Sequence, residues 1–328
     1  MSGRVLITGA SGFVGYHLIE AALQQGLEVF AAVRSSSKID HLKNLPIQFT
    51  TLDFSSIPLL KAELQEKQYD YIIHAAGTIK ASNFAEYVKV NADYTRNLAL
   101  AAGEANIPLK KFVFISSLAA WGPSRTGLPV NEKDEATPLT SYGKSKLVAE
   151  SYLAALTELP LITLRPTAVY GPREKDIFIM INSINKGFEP YIGRIPQTLS
   201  FIYVKDLAAV TVQALTSPVN NRSYFVADGH GYDRYALAAI VKKILNKNTF
   251  RIHLPLTVVK AIALFQEGIG AISGNSPILN REKLSELTAT DWSCNIDQLK
   301  NDIGFSPRYT LENGMAETLQ WYKENKWL

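Results

Sequence analysis

Apolar and polar residues alternate along this chain in two different rhythms. Short, mainly apolar runs recur at Val5–Ile7, Val29–Val33, Phe49–Leu52, Tyr71–His74, Phe112–Ile115 and Leu161–Leu164. Runs of that length and kind predict strands buried on both faces. Between most of them the apolar positions recur with the period of a helix, at Val14–Gln25, Leu59–Lys67, Phe84–Ala105 and Tyr142–Leu156. The connection over Ser37–Leu45 is short and has no clear period. Strands alternating with helices predict an α/β fold, a doubly wound parallel sheet with helices on both faces.

After Arg165 the rhythm loosens. Pro166, Gly171, Pro172, Gly187, Pro190, Gly193 and Pro196 punctuate the chain. Helices are predicted at Asp176–Lys186, Asp206–Leu215, Tyr235–Leu245, Val258–Ile269, Ile296–Asp302 and Leu311–Lys323, with strands at Ser200–Val204 and Ser223–Val226. We expect residues 1–165 to form a nucleotide-binding platform. Residues 166–328 would form mainly a smaller, discontinuous α/β substrate lobe, with segments near 198–227 returning to the sheet.

Composition adds mostly exclusions. The 328 residues are 47% apolar and 20% charged, an ordinary globular balance, and the net charge is +4. Lys and Arg are scattered, so no nucleic-acid partner is expected. Cys294 is the single cysteine, and His17, His41, His74, His230 and His253 are dispersed, so neither a disulfide nor a metal site is expected. Met1–Arg4 leads straight into an apolar strand without the pattern of a signal peptide, and the expected compartment is the cytoplasm. The stretch Leu254–Ile272 is the most apolar, but Lys260 and Glu267 interrupt it. It predicts an amphipathic helix packed on the protein rather than a membrane insertion, with an interfacial helix or a lid over an apolar substrate as the alternative.

The chemistry begins at Thr8–Gly15. Gly9 suits a tight turn, Gly12 a close approach of backbone to a pyrophosphate, and Gly15 close helix–strand packing. The helix that follows offers free N–H groups and a dipole to an anion. At the end of the second strand, where an acid would hold a ribose 2′-hydroxyl, stands Val33, followed by Arg34, Ser35, Ser36 and Lys38. Cations and hydroxyls there suit a 2′-phosphate, so NADP is expected, with NAD the alternative.

Tyr142 and Lys146 form a Y-x-x-x-K pair on one helix face. A nearby ammonium favours a phenolate, which an acid/base tyrosine needs because a free phenol titrates near ~10. Tyr322 and Lys326 show the same spacing at the end of the last helix, where it has no such context. The Tyr142 pair has one: Ser116 and Ser117 end a strand, on the side of a parallel sheet where ligands bind. One serine is expected to hold a substrate oxygen and the other to cap the turn.

With these motifs the chain resembles the extended short-chain dehydrogenases/reductases, the NAD(P)-dependent epimerase/dehydratase group. The resemblance runs nearly end to end, through Leu52-Asp53, His74–Gly77, Asn91, Ser116-Ser117 with Trp121-Gly122, Tyr142 with Lys146, Leu164–Pro166, Val169–Pro172, Phe201–Val204 with Asp206, and Gly304–Pro307. It implies a Rossmann-type fold and a homodimer. It selects Ser117 as the catalytic serine, beside Tyr142 and Lys146, and gives Asn91 a place in a water relay. It further implies that Ser11, Phe13, Val14, Asp53, Phe54, Ala75, Ala76, Gly77, Pro166 and Val169 line the cofactor with Gly9, Gly12, Gly15, Arg34, Lys38, Tyr142 and Lys146.

Departures from the group's patterns narrow the chemistry. Leu118-Ala119-Ala120 carry no acid after the serine, which disfavours elimination and decarboxylation, and Ala168 stands where sugar-nucleotide enzymes carry Asn. The pattern resembles dihydroflavonol reductases and 3β-hydroxysteroid dehydrogenases more closely. The expectation is therefore NADP-dependent interconversion of a carbonyl and an alcohol on a small apolar molecule. A nucleotide-sugar 4-epimerase with tightly held NAD, and a non-catalytic NADP-binding sensor or scaffold, are the rival readings.

Overall fold

The computed structural model describes residues 3–265 and 280–328 in full, and the backbone alone over 266–273. The strands are β1 Arg4–Thr8, β2 Glu28–Ala32, β3 Gln48–Thr50, β4 Tyr71–His74, β5 Lys111–Ile115, β6 Leu161–Pro166, β7 Ala168–Tyr170, β8 Phe188–Ile192, β9 Thr198–Leu199, β10 Phe201–Tyr203, β11 Arg222–Val226, β12 Tyr232–Asp233, β13 Phe250–Leu254 and β14 Asp291–Trp292. The helices are α1 Phe13–Gln24, α2 Ile57–Lys67, α3 Phe84–Val88, α4 Tyr94–Glu104, α5 Ser141–Ala154, α6 Asp176–Asn185, α7 Val204–Ala214, α8 Ala236–Leu245, α9 Leu256–Ser273, α10 Arg281–Thr288, α11 Asp297–Ile303 and α12 Leu311–Glu324.

A seven-stranded parallel sheet runs β11-β6-β5-β4-β1-β2-β3. Each strand divides its side chains between two cores, as a period of two demands. Val5, Ile7, Val29, Ala31, Ile73, Val113 and Ile115 face one core, which α1, α7 and α11 close. Leu6, Phe30, Ile72, Phe112 and Phe114 face the other, closed by α2, α4 and α5. The chain order reverses between β1 and β4, so the loops after Thr8 and His74 open a crevice at the carboxyl edge.

The helix predicted over Phe84–Ala105 is continuous but contains a π-turn at Lys89–Asp93. Ser37–Leu45 holds only a short 3-10 turn at Asp40–Leu42. The segment around Ser200–Val204 differs from expectation: β10 pairs with β7 rather than joining the main sheet, and its end already starts α7. β11 does join the sheet, beside β6. A third core lies among α6, α8, α12, β8 and β10. β8 and β13 form a separate two-stranded parallel sheet, which the sequence pattern did not announce. Among the described residues no helix is long and apolar enough to cross a membrane. Glu267, one of the two charges read in the apolar stretch, lies outside the described side chains.

Candidate active site

The crevice is built where the two reversing loops touch. Gly9 has φ +70°, and a Cβ there would stand 2.6 Å from the carbonyl oxygen of Ala75, so only glycine lets the loops meet. A Cβ at Gly15 would strike the Gly9 carbonyl directly, which fixes the entry of α1 against its own turn. Gly12 precedes α1, and no side chain caps that end. The first N–H groups of α1, at Phe13 and Val14 beside Ser11, therefore face the crevice without a side-chain acceptor, which suits a pyrophosphate.

A buried chain of hydrogen bonds ties this loop to the far wall. The Thr8 hydroxyl accepts from the Ala76 N–H (3.1 Å) and lies 2.7 Å from His74 Nδ1. The Thr95 hydroxyl donates to the Asn91 carbonyl (2.8 Å), which leaves its lone pair for His74 Nε2–H (2.9 Å). One tautomer of a neutral imidazole satisfies every partner. Burial, with Lys146 nearby, holds the ring's pKa down at about 3, so it stays neutral.

Asn91 sits in the π-turn, fully buried. Its Oδ1 accepts from the Thr78 N–H (2.7 Å), while its Nδ2 donates to the Thr78 carbonyl (2.9 Å) and to Ser145 Oγ (3.0 Å). Gly77 lies between: a Cβ there would stand 3.0 Å from Asn91 Oδ1 and 3.4 Å from Lys146 Nζ. The missing side chain lets the backbone after β4 pack closely against Asn91 and Lys146.

Tyr142, Lys146 and Glu150 fall at successive i+4 positions of α5, which Thr140 caps by accepting from the Gly143 N–H (3.1 Å). Burial pushes the Tyr142 phenol up to about 12, a hydrogen bond with Ser117 pulls it down, and Glu286 and Tyr87 add to the rise. Lys146 donates to the Ile115 carbonyl (2.9 Å) and lies 4.7 Å from the centre of the Phe114 ring. Burial brings its ammonium down to about 8, while Glu150 pulls the other way. Lys146 thus stands behind Tyr142, toward Gly77, and the phenol's own shift is set by burial.

The two serines separate. Ser117 accepts from the Ala119 N–H (3.1 Å) and meets Tyr142. Ser116 is buried and donates to Glu150. Glu150 also takes a two-pronged contact from Arg165 (2.6 and 3.0 Å), whose guanidinium lies 3.8 Å from the centre of the Trp121 ring. This triad bolts α5 to the ends of β5 and β6. The Tyr142–Glu150 spacing carried the signal for it, but a lone Glu in a helix gives no sign of its partner.

The remaining expected positions lie along the crevice walls. Ala75 and Ala76 follow β4, and Pro166 ends β6 just before Val169 in β7. Phe54 stacks on Tyr94 with its ring 5.9 Å from His74, while exposed Asp53 turns back to bond Ser55 (2.6 and 2.9 Å). Arg34 and Lys38 are exposed, and the Arg34 guanidinium has no partner among the described residues. Two basic side chains that motif spacing missed join that end: His41 approaches the Ser11 backbone, and Arg173 lies 4.1 Å from the centre of the Tyr16 ring. Arg173 has φ +77° in the turn after Pro172, and the Tyr322 hydroxyl holds that turn by donating to the Glu174 carbonyl (2.8 Å). Tyr322 is therefore a structural residue.

Over the mouth lies α10. Glu282 accepts from both the N–H and the hydroxyl of Ser141 (2.8 and 2.7 Å), fastening α10 to the start of the catalytic helix. Nothing in the sequence pairs these positions.

A glycine-lined helix end at a sheet reversal, facing a tyrosine and lysine on one helix, defines an NAD(P)-dependent oxidoreductase with a Rossmann fold. The chain belongs to the NAD dependent epimerase/dehydratase family, whose model matches residues 5–227, and it is an enzyme of the extended short-chain dehydrogenase/reductase type. It is 29% identical to a UDP-glucose 4-epimerase of Vibrio cholerae, over 98% of this chain and 95% of that protein. It is 27% identical to a ceramide reductase of Caulobacter vibrioides, over 99% of this chain and 96% of that protein. The fold is shared with the crystal structure of UDP-glucose 4-epimerase from Thermotoga maritima, with TM-score 0.81, 20% identity and coverage of 98% and 99%.

Proposed function

We propose that the chain is an NADP-dependent reductase/dehydrogenase interconverting a carbonyl and an alcohol on a small apolar substrate. The observation that carries this reading is the Ser117–Tyr142 pair with no acid after it: Leu118-Ala119-Ala120 form a short 3-10 turn whose first and last residues are buried. Tyr142 is the proton donor to the carbonyl oxygen in reduction and the base in oxidation. Ser117 orients that oxygen by its hydroxyl. Lys146 would hold the nicotinamide ribose, and its ammonium stabilises the Tyr142 phenolate left by proton donation and replaces the proton. Bound nicotinamide supplies or takes the hydride. Asn91, pinned by Thr78 and Ser145, anchors the path by which Lys146 regains its proton.

Arg34, exposed and unpaired among the described residues, supports NADP. A charge-assisted contact to a 2′-phosphate is worth roughly 1.5–3 kcal/mol, or about 10–150-fold in affinity. NADPH is expected to bind tighter than NADH by that range, and Arg34→Ala to erase most of the gap by weakening NADPH alone. Tighter NADH binding by the wild type would reverse the cofactor assignment.

A second reading, a nucleotide-sugar 4-epimerase, is favoured by the end-to-end similarity to the Vibrio cholerae enzyme. One experiment separates the two. The purified protein is offered a panel of apolar carbonyls with NADPH, beside UDP-sugars. Carbonyl-dependent NADPH consumption supports the reductase. Epimerised sugar, with nicotinamide retained through dialysis, supports the alternative.

A further inference from the structure

The β8–β13 sheet is inside out. Its strands pair Phe188 with Phe250, Pro190 with Ile252 and Ile192 with Leu254, so these six share one face. That face is the outer one: Phe250 is 70% exposed, Phe188 53% and Leu254 38%. The polar residues between them point inward. Glu189 is buried and satisfied by Lys242 (2.7 Å), Thr249 (2.8 Å), Tyr191 (2.8 Å) and Arg251 (3.1 Å). An ordinary surface sheet shows the reverse pattern.

The apolar surface continues through Pro255 into α9. Among its described side chains only Val259 and Ala263 are buried, whereas Val258, Ile262, Leu264 and Phe265 are exposed, Phe265 by 71%. A contiguous apolar surface of this kind marks an interaction site. Charge indicates the partner. From Arg234 to Gln266 the chain carries no Asp or Glu. Arg234 is buried on backbone carbonyls, and Lys242, Arg251 and Lys243 are paired with Glu189 and Glu312, so the cations this stretch presents without an acidic partner among the described residues are exposed Lys247 and Lys260. Exposed Lys186 and Arg194 flank β8. A second copy related by two-fold symmetry would bring like cations together. A bilayer with anionic headgroups would accept both the apolar wedge and its basic rim.

We propose that the outer face of the β8–β13 sheet, continued along α9, docks on an anionic lipid bilayer. α10, packed on α9 and fastened to Ser141, places the mouth of the Tyr142 site next to that surface. The docking stands independently of which reaction the site performs.

The test is co-sedimentation with vesicles of phosphatidylcholine, with and without phosphatidylglycerol. The wild type is expected to pellet with the anionic vesicles and to be released by salt. Phe188→Ser combined with Phe250→Ser, at exposed positions where folding is not at stake, is expected to weaken binding roughly tenfold or more. Its melting temperature and its cofactor binding should stay at the wild-type values. A wild type that remains in the supernatant with both vesicles overturns the proposal. So does a wild-type dimer that the double variant converts to monomer without any vesicle binding, which would make this face a contact between copies. If no carbonyl is turned over while vesicles are bound, the reaction assignment fails and the docking surface survives.

Discussion

Tyr142 and Tyr322 share a spacing to lysine and differ in everything around it. Tyr142 meets Ser117 at the carboxyl edge of the sheet, whereas Tyr322 is spent on the Glu174 carbonyl. Tyr142→Phe removes a transferable proton and keeps the ring, so turnover should fall roughly 10²–10⁴-fold with cofactor binding largely kept. Tyr322→Phe should leave kcat unchanged but lower stability by about 1 kcal/mol, read by denaturant titration, because a buried hydrogen bond is lost. A Tyr142→Phe enzyme within a few-fold of wild type removes Tyr142 from the mechanism. The residue scale also sets the pH response. Tyr142 keeps its proton up to about 12, so the acid for reduction is present throughout. Lys146 loses its charge near 8. The kcat/KM for NADPH in reduction, which reports the free enzyme, should be flat below that pH and fall above it. Lys146→Arg, whose guanidinium keeps its proton, should move the fall upward. An unmoved fall in an active variant would assign it to another group.

At the scale of elements, α5 does two jobs with one face. Its first turns present Tyr142 and Lys146, and its next turn buries Glu150 against Ser116 and Arg165. Glu150→Ala strands a buried guanidinium, and removing one partner of such a pair costs about 3–5 kcal/mol. A loss well under 1 kcal/mol by chemical denaturation would show that Trp121 and solvent suffice to hold Arg165. The inner strands β1, β2, β4 and β5 were legible because burial on both faces makes them runs of mostly apolar residues. The glycine turn and the Tyr142–Lys146 pair were legible because their spacing is local. β8 was not: Phe188-Glu189-Pro190-Tyr191-Ile192 mixes a charge and a proline, and its apolar side faces outward. The π-turn at Asn91 leaves no mark, since a single wider turn is too short to establish a period of its own. The contact of Glu282 with Ser141 joins residues 141 positions apart, which no single-sequence rhythm encodes.

At the scale of the whole molecule, the sheet is not finished by the segment that starts it. β6 ends at Pro166, and its outer neighbour β11 begins at Arg222. The two are separated in sequence by α6, β8, β10 and α7, of which α7 returns to cover α1. A chain stopped at residue 165 should therefore be insoluble when expressed alone, because β6 would show a bare, unpaired edge. One extended through residue 227 should be recovered in soluble form in larger amount. Equal solubility of the two would show that β6 needs no partner. The same order of strands governs synthesis. As the chain leaves the ribosome, β1 to β6 can pair while the codons for β11 are still unread, so a half-made sheet waits with one side unzipped. The interval is set by translation speed over the intervening segment, and slow codons there would lengthen the exposure of β6 to other nascent chains. Synonymous changes between the codons of Pro166 and Arg222, which alter no atom of the finished enzyme, are thus a place where its yield can be won or lost.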